Sequence, residues 1–131
     1  MDQITSDQLN ALSLQFLAMG NALLDFRANN PGIDPTEDNA LEQTINELLD
    51  KAGQLATMSA IASGQEAASA VASLSQVKDQ ITQTIQHLAG VQKAIDIAAA
   101  ALKVVVAVIS MKPGDIVNSA GGLATTCGIH L

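Results

Sequence analysis

The chain reads as all-α: an antiparallel up-down four-helix bundle followed by a short irregular C-terminal tail. Three observations predict this. Hydrophobic residues make up 48% of the 131 positions and are mostly Ala, Leu, Ile and Val, with Ala alone at 22 positions. Ala and Leu lose little side-chain freedom in a helix. Phe16 and Phe26 are the only aromatics, whereas a sheet normally leans on β-branched and aromatic residues to cover its faces. Apolar residues also recur at alternating steps of 3 and 4, the period of a helix with one buried stripe.

The first helix is expected over about residues 6–28. Thr5 and Gln8 have the spacing of a capping box. Leu9, Leu12, Phe16, Met19, Leu23 and Phe26 then step 3, 4, 3, 4, 3, and Leu14, Leu17 and Leu24 widen the apolar face to bundle-core width. Asn29-Asn30-Pro31-Gly32 ends the run, because Pro lacks the backbone donor and Gly suits a turn. The second helix is expected over about 35–62. Asp34 caps it, Pro35 stands where its missing N–H does no harm, and Glu37 and Asp38 complement the dipole of the first turn. Leu41, Ile45, Leu48, Ala52 and Leu55 form its stripe, and Glu47 with Lys51 has ion-pair spacing.

Ala56, Ala60, Gly64, Ala68 and Ala72 then recur at every fourth position. This row predicts a tight hairpin around Ser63-Gly64-Gln65 between closely packed helices. A membrane small-xxx-small motif is disfavoured by flanks rich in Ser, Gln and charge. The third helix, about 65–89, carries Val71, Leu74, Val77, Ile81, Ile85 and Leu88. A turn at Gly90 separates it from a fourth helix, about 91–111, with Val91, Ile95, Ala98, Leu102, Val105 and Ile109 inward. The alternative is three helices, the third running unbroken to Met111. That version would project roughly 30 Å beyond its partners, whereas four helices have matched lengths of roughly 32 to 42 Å. Lys112-Pro113-Gly114-Asp115 stops the last helix. In the tail, 112–131, Ile116 to Ala120 suit a short turn of helix and Gly121-Gly122 reads as irregular. The whole chain is expected to be a single domain.

Charge narrows the function. Thirteen acids against six bases give a net charge of −7, and the bases are scattered singly. Nucleic-acid binding needs clustered Lys and Arg, so nucleic acid is excluded as a partner class. Met1 to Leu12 contains Asp2 and Asp7 and no base, unlike a classical signal peptide. The expectation is a cytoplasmic chain or one exported without such a leader.

No residue advertises catalysis, cofactor binding or metal ligation. The four Glu, Glu37, Glu42, Glu47 and Glu66, lack the Glu-x-x-His spacing of di-iron bundles. His87 and His130 without a Cys pair do not make a zinc site. Cys127 has no nearby base beyond His130 and reads as a free thiol that dimerises on oxidation. Gly121-Gly122 lacks the Lys-Ser/Thr of a phosphate loop. A non-enzymatic structural or protein-interaction bundle is therefore expected, binding a protein partner or itself through helix faces, with no cofactor and no metal. A small-molecule carrier with a cavity between helices is a further reading.

The segment Ala94 to Met111 supplies the main alternative. It approaches the ~20 apolar residues that span a bilayer, but Asp96 and Lys103 would each cost about 2.5 to 3.5 kcal/mol at mid-membrane. Lys93, Asp96, Lys103 and Ser110 fall within an arc of about 100°, the narrow polar stripe of a deeply buried bundle helix. The competing expectation is a membrane-active protein that stores this helix in its core. In composition (acidic, poor in aromatics, rich in Ala, Ser, Gln and Thr) the chain resembles bacterial surface and secretion-associated proteins. The 94–111 helix resembles those of helical pore-forming toxins. Neither resemblance rests on a motif, so neither carries over a functional residue.

Overall fold

The computed structural model describes residues 3–129. His130 lies outside the described residues, as do Met1, Asp2 and Leu131. The fold is all-α with one minute sheet. Its elements are β1 (Gln3–Ile4), α1 (Ser6–Asn29), α2 (Pro35–Leu55), β2 (Ile61–Ala62), α3 (Gly64–Gln76), α4 (Lys78–Gln86), α5 (Val91–Ile109) and α6 (Pro113–Thr126).

The two strongest helix signals are realised as read. Thr5 Oγ1 accepts from the Gln8 amide at 3.1 Å while Gln8 Oε1 accepts from the Thr5 amide at 2.9 Å, so the capping box is closed. All six residues of the α1 seam are buried. The widening residues differ: Leu17 and Leu24 are half-buried, but Leu14 is 62% exposed. Asp34 caps α2 by accepting from the Thr36 amide at 3.1 Å, and all five predicted stripe residues are buried. Glu47 and Lys51 do not pair. Among the described residues the ion pairs are those of Arg27, with Asp38 at 2.8 Å and Glu42 at 3.2 Å.

The structure corrects the four-helix reading in three places. First, α2 stops at Leu55 rather than near Ala62. Thr57 Oγ1 donates to the Gln54 carbonyl at 2.8 Å, the local competition by which Thr and Ser divert a helix. The chain then runs extended, and Ile4 and Ile61 pair antiparallel. A two-residue ladder has no independent stability; it is held by burial of both Ile side chains. The row of small residues is thereby broken, with Ala56 and Ala60 exposed outside any helix. Gly64 turns the chain into α3 with φ +80°, a region that favours Gly.

Second, the predicted third helix is two. α3 ends at Gln76 and α4 begins at Lys78, with Val77 between them at φ −104° and ψ 12°. The turn before α5 does occur: Gly90 is its extended N-cap.

Third, the tail is mostly helix. In α6, Ile116, Ala120 and Leu123 are buried, followed by Cys127 at its end, steps of 4, 3 and 4. The pair Gly121-Gly122 lies within this helix at ordinary backbone angles and costs propensity without breaking it. Helices α1, α2, α5, α6 and α3 pack in that cyclic order, with α4 against α1. α6 thus lies between α5 and α3 and shares one contiguous core with them.

The register of α5 also differs from expectation. Its core-facing residues are Ala94, Ile97, Ala101, Val104 and Val108, with Ala98, Val105 and Ala107 also buried. The predicted inward residues Val91, Ile95, Leu102 and Ile109 are only half-buried. The helix is turned by about one residue, ~100°, because an almost wholly apolar run offers two seams and the neighbours α2 and α6 together decide which is covered.

Candidate functional site

The outward side of α5 lines an open groove of about 850 Å³. Asp96, Lys103 and Ser110 run along this side of the helix, with Ala99, Leu102 and Val106 beside them. Thr44 of α2 bounds one side, and Asp115, Asn118, Ser119 and Gly122 of α6 bound the other. Val106 is 42% exposed, an apolar side chain only partly covered among the groove's lining residues. Lys93, Asp96, Lys103 and Ser110 are all exposed, so the polar stripe read from the sequence is the solvent face of the helix.

At one end of the groove, between the lining residues Ser110 and Lys112, Met111 adopts φ 56° and is 58% exposed. The Lys112 amide donates to the Ala107 carbonyl at 3.3 Å and that of Met111 to Val108 at 3.0 Å, a helix end closed in the left-handed region. α6 ends by the same device with Gly128 at φ 72°, the Ile129 amide reaching the Ala124 carbonyl at 2.8 Å. Where α6 uses Gly, α5 uses an exposed Met at a steric cost of about 1–2 kcal/mol.

Charge in the groove is balanced locally. It holds Asp96 and Asp115 against Lys103 and Lys112 in a chain of net charge −7. Neither Lys103 nor Asp96 makes an ion pair among the described residues; Asp96 accepts one hydrogen bond, from Gln92 Nε2 at 3.0 Å.

Two smaller recesses carry less chemistry. One, of about 450 Å³, lies at the α1–α2 elbow and includes Arg27 and Asp38. There the guanidinium grips Asp38 through two hydrogen bonds, 2.8 and 2.9 Å, and reaches Glu42. Its charge is already spent on internal partners. The hydrogen bond from Arg27 holds the Asp38 carboxyl below its ordinary value. The second recess, about 240 Å³, lies between the end of α1 and the end of α4.

The remaining sequence candidates are dispersed. His87 ends α4, exposed, with Nδ1–H donating to the Gln83 carbonyl at 2.8 Å. Glu37 and Glu66 stand in the first turns of α2 and α3, while Glu42 serves Arg27. Among the described residues, no three of His, Cys, Asp and Glu gather as a metal site would require. Cys127 is not in an irregular tail: it caps α6 and is only 8% exposed. Burial pushes its thiol pKa up, with Lys93 opposing the shift. A raised pKa and a covered sulfur both slow reaction as thiolate, which opposes ready dimerisation through this residue in the folded state. Among the described residues, no helix is long and apolar enough to cross a membrane.

Sequence reasoning located the polar stripe but missed the groove. One wall belongs to α6, which the Gly pair concealed. A usable signal was present: Ile95, Ala99, Leu102, Val106 and Ile109 step 4, 3, 4, 3, a second seam on the same helix. The chain matches no family model, no curated protein and no solved structure.

Proposed function

We propose that the protein is a non-enzymatic interaction module whose α5–α6 groove docks a helix of a protein partner. It elaborates a four-helix plan: α1, α2, the α3–α4 pair and α5 supply the frame, and α6 is the addition that builds the groove wall. The observation that carries this reading is the second apolar seam of α5, with Val106 its most exposed member. Heptad-spaced apolar residues beside a polar stripe are what a partner helix recognises. The small side chains of Ala99, Ala100 and Gly122 let a second backbone come close.

The membrane-active alternative requires α5 to leave the core. Ile97, Val104, Val105 and Val108 are fully buried, and exposing four such residues to water before lipid covers them costs roughly 6–12 kcal/mol at 1.5–3 kcal/mol each. That is about the whole stability of a typical domain, about 5–15 kcal/mol. Release of α5 would amount to unfolding.

The test is site-specific photo-crosslinking in the native host, with the probe at Val106 and, as control, at exposed Gln83 on α4. The docking reading predicts a discrete protein adduct from Val106 and none from Gln83. No adduct from Val106, or equal adducts from both positions, would contradict it.

A further inference from the structure

Asp96 and Lys103 lie seven residues apart on one stripe of α5. At 1.5 Å per residue they are separated by about 10 Å along the axis, too far to satisfy one another within the chain. An antiparallel copy of the same helix removes that obstacle. In an antiparallel helix pair, an a residue faces a d residue across the seam, while a flanking e residue faces the e residue of the other helix. A register that sets Ala99 against Leu102 of the second copy places Asp96 opposite Lys103 of that copy. The two-fold axis repeats the pair with the roles exchanged. Both charges that lack an ion-pair partner among the described residues then find one, and Val106 is covered in the same step.

We propose, resting on the docking reading above, that the occupant of the α5–α6 groove is α5 of a second copy of this chain, packed antiparallel about a two-fold axis. Self-complementarity is what an isologous interface requires. The groove suits it for a second reason. Two copies of net charge −7 repel, and the groove, with two Lys and two Asp, is a locally neutral place for them to meet. Residual repulsion is confined by salt to about 8 Å at physiological ionic strength. A single helix-pair interface falls in the small, transient class.

The experiment is sedimentation velocity at 0.15 M salt on the full chain, over about 10 to 500 μM, the range where transient interfaces populate. The wild type is expected to shift from monomer toward dimer with concentration. Asp96→Lys and Lys103→Asp each turn attractions into like-charge contacts, and each is expected to weaken self-association about tenfold or more. Mixed in equal amounts, the two variants should associate with each other more tightly than either does with itself. The double reversal Asp96→Lys with Lys103→Asp should associate like the wild type. Both positions are exposed, and helical circular dichroism checks that the variants fold. A wild type that stays monomeric overturns the second copy as occupant; an adduct of another protein at Val106 would then leave the docking reading standing. A dimer indifferent to both reversals, or a mixture that fails to recover, overturns the antiparallel α5 register.

Discussion

Several single residues in this molecule hold positions that a different side chain would fill better or worse by a calculable amount. Met111 is the plainest. Its left-handed backbone suits Gly, and the equivalent position of α6 has Gly128. Met111→Gly should raise stability by about 0.5–1 kcal/mol, the steric relief being partly offset by a freer unfolded chain. A urea titration measures it. Gly20 shows the opposite constraint: a Cβ there would come within 2.5 Å of Leu49 Cδ2 and 3.0 Å of its Cγ. Gly20→Ala should therefore destabilise by about 1 kcal/mol despite its better helix propensity. Gly53, in α2 with open space around it, should give about 0.5–1 kcal/mol of stabilisation on Gly53→Ala. Asp38 adds a pH dependence. Its carboxyl is held below the ordinary value by Arg27, so the folded state binds that proton less readily than the unfolded chain. The contribution is complete above the unfolded carboxylate range and is lost as pH falls below about 4. Asp38→Asn should accordingly lower the urea midpoint at pH 7, by a difference that shrinks as pH falls below about 4.

At the scale of elements, legibility followed contrast. α1 and α2 were readable because each buries one stripe and solvates the rest, so the apolar period has a single solution. α5 is apolar almost all round, and its sequence supports two seams; the choice belongs to the neighbours. The stretch from Ala56 to Ser63 looked like helix from its small residues, but Thr57 and the buried pair Ile4–Ile61 draw it into an extended bridge. In α6 the pattern Ile116, Ala120, Leu123, Cys127 was present, and Gly121-Gly122 argued against it locally. Burial outweighs the propensity cost of the pair, since Leu123 is fully buried. Leu123→Ala should cost about 2–5 kcal/mol, read as a lowered urea midpoint. A loose tail would tolerate the same change without effect.

For the whole molecule, the outcome is a closed ring of helices in which α5 has both a core face and an outward face. Composition made the all-α class legible. The groove was not, because it exists only where α5, α6 and α2 meet and no single segment encodes it. The two functional readings of the 94–111 segment make opposite demands on this architecture. Docking through Val106 uses α5 in place, whereas membrane insertion requires Ile97, Val104, Val105 and Val108 to leave the core. Co-sedimentation with anionic and neutral liposomes at pH 7 and pH 5 separates them most directly, because a neutral lipid surface removes the repulsion that would hold a chain of net charge −7 off an anionic one. The account predicts that the folded protein stays in the supernatant at both pH values and with both lipids. Pelleting at pH 5 that is abolished by a charge at Val105, but not by one at Val106, would show that α5 leaves the bundle and would contradict it.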